Sequence, residues 1–373
     1  MRSSLAVGLA MSVMTLMMAG CATTTAKPPR TQAHVAVAPE LAIERVSVEP
    51  KTIDVKKQDV ARIQFDLPRA AHVTIDLVDE AGGVVRQLNA GDRAVGTHTV
   101  TWDGRDAEGQ PAHKGVYRYV IRAQDARGAQ FIYDPSPDTG GEELEPRDFA
   151  YDRQMGTLRW VMPKAGYARL RAGIEGFPHL RTLLDWEPLE GGAHSIIWGG
   201  LDSSGFVNLK EHPSLSLKLK AFAMPNNTII VHGEPLSTKS TLSPAYPPMT
   251  KGPAAAFHAR HTRGACHEVH VRLEFPEVTQ HDAEGRPVLV GLVPIRVTVD
   301  PQDAAWVVNE RFELALFEDL TVIAEEEKGT TPYTYLLDTA TLPAGPHLLT
   351  VNVLSGSDHY GVDTQQAIIG AQP

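Results

Sequence analysis

One segment occurs twice in the chain, and its spacing restricts the possible folds more than any other feature. The segment GTHTVTWDG at 96–104 is matched by GAHSIIWGG at 192–200, 96 residues later, and an Asp and a Gly that follow are matched at the same distance. A shorter echo occurs at Gly345-Pro-His347. About 100 residues is the size of one β-sandwich domain. The repeat therefore predicts tandem sandwich domains.

The repeated segment has the pattern of a strand that ends in a tight turn. Its first Gly permits a positive φ at the start of the strand. Two-residue alternation puts His98, Val100 and Trp102 on one face, so that Trp102 can fill the space between two sheets. An Asp-Gly pair then predicts the reversal. The residues predicted to be structural in this way are Trp102, Asp103, Gly104, Trp198 and Gly200. The histidines of the three copies are predicted to be structural as well.

The rest of the chain also favours antiparallel strands over helices. Short alternating runs, such as HVTIDLV at 72–78 and VYRYVI at 116–121, are separated by turns that contain Gly, Asp or Pro. Such runs are typical of all-β sandwiches. The predicted fold class is all-β, with three tandem immunoglobulin-like antiparallel β-sandwich domains behind an N-terminal signal and a flexible tether.

The first copy resembles a known module. Its matching features include Asp79-Glu-Ala-Gly82, the segment Trp102-Asp103-Gly104 and the segment Gly115-Val-Tyr117. Over roughly residues 54 to 130 these features resemble the Ig-like domain of the flagellar hook-capping protein family. The resemblance implies an Ig-like fold and a module that is appended to many secreted bacterial proteins. It does not imply hook assembly, because the hook-binding portion of that family is absent.

Composition divides the chain into seven segments. The second copy matches the module weakly, and the third is only generically Ig-like. Linkers are predicted where Pro, Gly, Ser and acidic residues cluster. The segments are a signal peptide (1–21), a flexible tether (22–43), the Ig-like domain that resembles the hook-capping family (44–133), a linker (134–148), a divergent Ig-like repeat (149–234), a Pro- and Ser-rich linker with a His-rich end (235–265) and a third Ig-like domain (266–373).

The N-terminus reads as an export signal. Arg2 precedes an apolar run that is too short to span a bilayer, and Met18-Ala-Gly-Cys21 follows it. This end resembles the lipobox of bacterial lipoproteins, with Met in place of the usual Leu. The resemblance implies lipidation of Cys21 and a membrane anchor. Because Ala22 is not Asp, it also implies the outer membrane, with the protein facing the periplasm or the exterior.

Charge and cysteine content restrict the partners. The formal net charge is −10 and no basic stripe is present, so nucleic acid is a poor partner. Cys266 is the only cysteine besides Cys21, so no intramolecular disulfide is expected if Cys21 carries lipid. The expected partners are other envelope or extracellular proteins, and the membrane through the N-terminal lipid.

Common catalytic signatures are absent from the sequence. No G-x-S-x-G or G-x-x-x-x-G-K-[ST] segment occurs. The run Glu325-Glu326-Glu327 is expected to be a solvated loop. We therefore expect a protein that is not an enzyme and has no resident cofactor.

One cluster of residues leaves an alternative open. His258, His261, Cys266 and His267 lie within ten residues of one another, and imidazole and thiolate are ligands of zinc, copper and iron. An axial haem contact is a second interpretation of the cluster. In the purely structural interpretation, Cys266 and His267 begin a strand whose inward face is Val269, Val271, Leu273 and Phe275. The main hypothesis is a non-catalytic structural, adhesive or protein-interaction scaffold, and the alternative is a metal- or haem-contacting accessory of an envelope redox system.

Overall fold

Six β-sheets, arranged in three pairs, dominate the computed structural model, which describes residues 40–176, 178–234, 245–246, 268–301, 303–304, 312–355 and 360–371. Each pair encloses its own buried apolar core. The predicted all-β fold of tandem Ig-like sandwiches is confirmed. Within the described residues, no helix is long and apolar enough to cross a membrane.

The strands alternate with short turns along the chain. In chain order they are β1 (Glu44–Glu49), β2 (Thr52–Asp54), β3 (Ala61–Leu67), β4 (Ala71–Val78), β5 (Val84–Arg93), β6 (Gly96–Trp102), β7 (Gly115–Gln124), β8 (Gln130–Tyr133), β9 (Glu143–Leu144), β10 (Arg147–Asp152), β11 (Thr157–Met162), β12 (Gly166–Ile174), β13 (His179–Leu189), β14 (Gly192–Ile197), β15 (Leu215–Ala223), β16 (Thr228–His232), β17 (Val271–Glu274), β18 (Val288–Leu289), β19 (Leu292–Val299), β20 (Phe312–Glu318), β21 (Thr321–Glu326), β22 (Tyr333–Asp338), β23 (Gly345–Ser355) and β24 (Tyr360–Ile369).

The first and third sandwiches share one topology, and the second differs because β9, the first of its strands in chain order, lies next to β15. Their smaller sheets have the orders β1-β3-β6, β10-β11-β14 and β17-β19-β22. Their larger sheets have the orders β2-β16-β7-β4-β5, β13-β12-β15-β9 and β18-β24-β23-β20-β21. Neighbouring strands run antiparallel, except that β2 lies parallel to β16 and β18 parallel to β24. Thus β6, β14 and β22 occupy equivalent places, and so do β7, β15 and β23.

The last strand of the first sandwich is split by the second sandwich. Strand β8 pairs with one end of β7, from Ile121 to Gln124. The chain then forms the second domain and returns as β16, which pairs with the other end of β7, from Gly115 to Arg118. The 149–234 boundary predicted from composition therefore does not coincide with the sheets, because β16 completes the first domain. Amino-acid composition does not indicate which strands will pair when they are far apart in sequence.

The first two domains are also joined by a small apolar cluster. Val116 and Ile230, from β7 and β16, are buried against Tyr167, Trp186 and Met224 of the second domain. The predicted linker 134–148 contributes to the second sandwich, since its strand β9 pairs with β15. Burial of this apolar surface stabilises one relative arrangement of the two sandwiches.

A four-residue Asp-x-x-Gly turn recurs in all three sandwiches. In each turn the Gly N–H donates to the Asp carbonyl over 2.9 to 3.4 Å, and the Asp side chain accepts from a backbone N–H just beyond the Gly. The Gly has a positive φ of 80° to 92°, which other residues adopt at a penalty. The turns are Asp79–Gly82, Asp106–Gly109, Asp125–Gly128, Asp202–Gly205 and Asp282–Gly285.

Part of the predicted Pro- and Ser-rich linker docks on the first domain. The N–H groups of Ala245 and Tyr246 both donate to the carbonyl of Gly82 over 3.1 Å. The Tyr246 hydroxyl donates to Asp76 and accepts from the Arg122 guanidinium, at 2.6 Å from Nη2. Burial and the hydrogen bond to Asp76 raise the pKa of Tyr246 to about 12.

Candidate binding cleft

A solvent-accessible cleft lies between the second and third sandwiches. It has a volume of about 510 Å³ and is open to solvent on one side. One wall is the outer face of β12 and β15, and the other is formed by β20, β21 and β23. The residues that line it with charged or aromatic side chains are Arg169, Arg171, His179, Lys218, Lys220, Glu313, Glu325, Glu326, Glu327 and Tyr360.

The wall from the second domain is positively charged. Arg169 pairs with Lys220 across β12 and β15, and Arg171 pairs with Lys218. Directly paired residues of antiparallel strands project from the same face, so all four cations share one surface. Like charges in this arrangement destabilise a sheet unless another group offsets them. Both arginines are buried, whereas Lys218 and Lys220 are exposed.

Aromatic rings hold the two arginines in place. The Arg171 guanidinium carbon lies 3.4 Å from the ring centroid of Tyr360, at the start of β24. The Arg169 carbon lies 4.5 Å from the ring of Trp186 and 5.6 Å from that of Tyr360. The negative face of an aromatic ring attracts a guanidinium. Tyr360 therefore joins the third domain to the positive wall of the second.

The opposite wall is negatively charged. Glu313 lies on β20, and Glu325 and Glu326 lie at the end of β21, with Glu327 following. The sequence prediction of a solvated loop is wrong for Glu325 and Glu326, because they pair with Ala315 and Leu314 of β20. Consecutive glutamates do not alternate in polarity, so the pattern gave no sign of a strand.

A reciprocal pair of hydrogen bonds closes the base of the cleft. The His179 N–H donates to Asn352 Oδ1 over 2.8 Å, and Asn352 Nδ2 donates to the His179 carbonyl over 2.8 Å. The His179 ring meets Tyr360 edge-on, with 5.6 Å between centroids. Burial and the nearby Arg171 hold the pKa of His179 well below its usual range, so this ring is neutral at pH 7.

The backbone at Glu268 contacts β13 of the second sandwich. The Glu268 N–H donates to Asp185 Oδ2 over 2.8 Å. Burial and the nearby Asp185 raise the pKa of Glu268 to about 7. Val269, Val271 and Leu273 are buried, as the strand pattern predicted.

The residues predicted to carry chemistry are not among those that the structure describes. Cys21 and the cluster His258, His261, Cys266 and His267 lie outside the described residues, so metal binding by this cluster stays a prediction. The cleft was missed because its charges are divided between strands that are far apart in sequence. The alternating Arg169-Leu-Arg171 and Lys218-Leu-Lys220 were the available signal.

The predicted structural residues lie in the first two cores and their turns. Trp102 and Trp198 are buried, and their indole N–H groups donate to the carbonyls of Arg105 and Leu201 over 2.8 and 2.9 Å. Asp103 Oδ1 accepts from the Arg105 N–H over 3.2 Å. Gly104 and Gly200 both have a positive φ, of 71° and 91°.

The arrangement of the cleft suits a polar ligand that carries both signs of charge. Carboxylates of such a ligand would meet guanidinium and ammonium groups on one wall, and its amines would meet carboxylates on the other. Apolar floor residues such as Ile174 and Leu354 would contact aliphatic parts of the ligand.

Comparison with known proteins identifies the first sandwich. Residues 51–127 match the family model of the FlgD Ig-like domain, which confirms the resemblance to the hook-capping family. The basal-body rod modification protein FlgD of Salmonella typhimurium is 38% identical over 66 residues, which are 18% of this chain and 28% of that protein. FlgD of Escherichia coli K12 is 37% identical over 71 residues, 19% of this chain and 30% of that protein. The chain thus spans less than a third of these curated relatives.

The solved structures with a detectable likeness include FlgD and fibronectin(III)-like modules. FlgD from P. aeruginosa is 22% identical, covering 31% of this chain and 84% of that chain with a TM-score of 0.22. The fibronectin(III)-like modules of Clostridium thermocellum CbhA are 9% identical, covering 88% of this chain and 94% of that chain with a TM-score of 0.20.

Proposed function

We propose that this protein is a non-catalytic scaffold of the bacterial cell envelope that binds another envelope or extracellular protein in the cleft between its second and third sandwiches. The observation that carries the proposal is the pair of oppositely charged walls, with two arginines and two lysines lining one side of a cavity of about 510 Å³ and four glutamates lining the other. Side chains of a polypeptide segment fit such a cavity, whereas a nucleic acid would be repelled by the glutamate wall.

The joints between the sandwiches support a scaffold role. The split strand and the apolar cluster fix the first domain to the second, and the His179–Asn352 pair fixes the second to the third. A surface held by rigid elements binds with little loss of conformational entropy. Three joined sandwiches therefore present one preorganised surface.

Anchoring through a lipid on Cys21 is the second part of the proposal. It rests on the lipobox-like sequence alone, and it places the protein at the outer membrane. Replacement of Cys21 by Ala should move the protein from the membrane fraction to the soluble fraction of cells. Unchanged membrane retention of the Cys21→Ala protein would contradict a lipid anchor.

A site-specific crosslinking experiment tests the cleft. A photoreactive amino acid is placed at Ser216, which lines the cleft beside the basic wall, and the protein is irradiated in intact cells. We expect a defined crosslinked protein that disappears when Lys218→Glu reverses one charge of the wall. The matched control is Lys51→Glu, which makes the same reversal of charge at an exposed site on the first domain.

The outcomes of this experiment are distinct. Loss of the adduct with Lys218→Glu but not with Lys51→Glu supports binding in the cleft. Equal loss with both variants would indicate a response to net charge, and no adduct in either background would contradict a protein partner at this surface.

A further inference from the structure

The three Gly-x-His segments share one local structure. In each, the Gly has a positive φ of 120° to 137° and starts a strand. In each, the histidine Nε2 lies 2.8 Å from the carbonyl oxygen four residues earlier: His98 from Ala94, His194 from Glu190 and His347 from Pro343. The third copy differs in topology, since it starts β23, which is equivalent to β7, and not to β6 or β14.

The third histidine differs from the other two in what its second nitrogen contacts. Nδ1 of His347 lies 2.9 Å from Asp319 Oδ2 and also contacts Glu318 Oε1. Glu318 ends β20, and Asp319 is the first residue of the turn to β21. The three ligand-type atoms lie within 4.8 Å of one another. The His347 side chain is 7% exposed, and its bond to Pro343 turns Nδ1 toward the two carboxylates.

We propose that Glu318, Asp319 and His347 form a binding site for a divalent transition-metal ion such as Zn²⁺. One imidazole nitrogen and two carboxylate oxygens are an accepted donor set for zinc, with the fourth position left to water. A ligating histidine usually donates its other N–H to a backbone carbonyl, as His347 does to Pro343. Ligating carboxylates are usually hydrogen-bonded too, and Asp319 Oδ1 accepts from the Leu348 N–H over 2.9 Å.

The position of the site gives the ion a structural consequence. Asp319 and Leu320 both have positive φ, 44° and 69°, in the two-residue turn between β20 and β21. Leu320 and Leu348 pack against the core of the second sandwich. An ion held by β20, this turn and β23 would therefore fix the contact between the third sandwich and the second.

The test must separate this site from the predicted cluster at 258–267. The protein used is the full mature chain in which His258, His261, Cys266 and His267 are replaced by Ala. Zn²⁺ is titrated in competition with a chromophoric chelator, and thermal unfolding is recorded with and without Zn²⁺. We expect one Zn²⁺ per chain and a Zn²⁺-dependent rise of the melting temperature.

Three single substitutions then assign the ligands. Glu318→Gln, Asp319→Asn and His347→Gln should each weaken Zn²⁺ binding by about 10-fold or more. The matched control is His194→Gln, which alters the corresponding histidine of the second sandwich and should leave Zn²⁺ affinity unchanged. Asp319→Asn guards against misfolding, because the residue is half exposed and Asn tolerates a positive φ.

Two results would overturn the proposal. One is the absence of Zn²⁺ binding by the protein in which His258, His261, Cys266 and His267 are replaced by Ala. The other is binding that Asp319→Asn and Glu318→Gln leave unchanged. Neither result bears on the cleft, whose crosslink depends on Lys218.

Discussion

Ile229 should stabilise the first sandwich, although it lies almost 100 residues beyond β8 in the chain. It is fully buried in the core of the first domain and pairs with Tyr117 of β7. Replacement by Ala removes buried methyl and methylene groups and leaves a cavity, which costs about 2–5 kcal/mol for this class of substitution. At about 1.4 kcal/mol for each factor of ten, even the lower limit corresponds to roughly 30-fold in an opening equilibrium.

Hydrogen exchange followed by mass spectrometry can locate this loss. Amides of β3 and β4 should exchange about 30-fold faster or more in Ile229→Ala, because exchange of core amides follows the opening free energy of their domain. The matched control is Leu209→Ala, since Leu209 is equally buried but belongs to the core of the second sandwich. Its largest effect should fall on β11 and β12. If Ile229→Ala accelerates β11 and β12 more than β3 and β4, the assignment of β16 to the first sandwich is refuted.

Three further perturbations have definite expectations. Gly200→Ala should destabilise the second sandwich in urea by about 2–5 kcal/mol, because at this positive φ an added Cβ would lie 2.3 Å from Lys210 Cβ and 3.0 Å from the Lys210 backbone N. Gly205 also has a positive φ, but no atom lies within 4 Å of an added Cβ. A loss of stability in Gly205→Ala as large as that in Gly200→Ala would therefore argue against the contact with Lys210 as its cause. Asn352→Ala should cost about 1–3 kcal/mol and speed exchange of the His179 amide, since two backbone groups lose their partner; an unchanged exchange rate would contradict this. Tyr246 has a pKa of about 12 in the folded protein against 10 in the unfolded chain, so its contribution to the free energy of unfolding is complete below pH 10 and is lost as the pH rises through 12. Tyr246→Phe should therefore reduce the loss of stability above pH 10, and a dependence of stability on pH that is unchanged by the substitution would contradict this.

The sequence was sufficient for the elements whose determinants are local. The 96-residue repeat, the buried Trp102 and the turn glycines follow from alternation, side-chain size and the need for positive φ, which act over a few residues. The inward face of β17 was predicted for the same reason. A resemblance over one module also sufficed to identify the first sandwich.

Long-range pairing could not be predicted from these local patterns. The segment Thr228–His232 has the composition of a strand, but nothing in it indicates that its partner is β7. The charged cleft and the contact of His347 with Glu318 and Asp319 arise in the same way, from residues brought together by the sheet order. The Gly-x-His pattern specifies a local turn and a hydrogen bond, and it does not specify which sheet the strand will join.

The split strand also affects the order in which the first two sandwiches can fold. Domains of a chain made from its N-terminus usually fold in the order in which they are synthesised. Here the first sandwich lacks half of its last strand until Thr228–His232 has emerged, by which point every strand of the second sandwich is already available. The second sandwich can therefore fold first and bring β16 to the edge of β7 with which it pairs. Until then that edge remains exposed, so the interval before closure is when this chain is most open to pairing with another copy of itself.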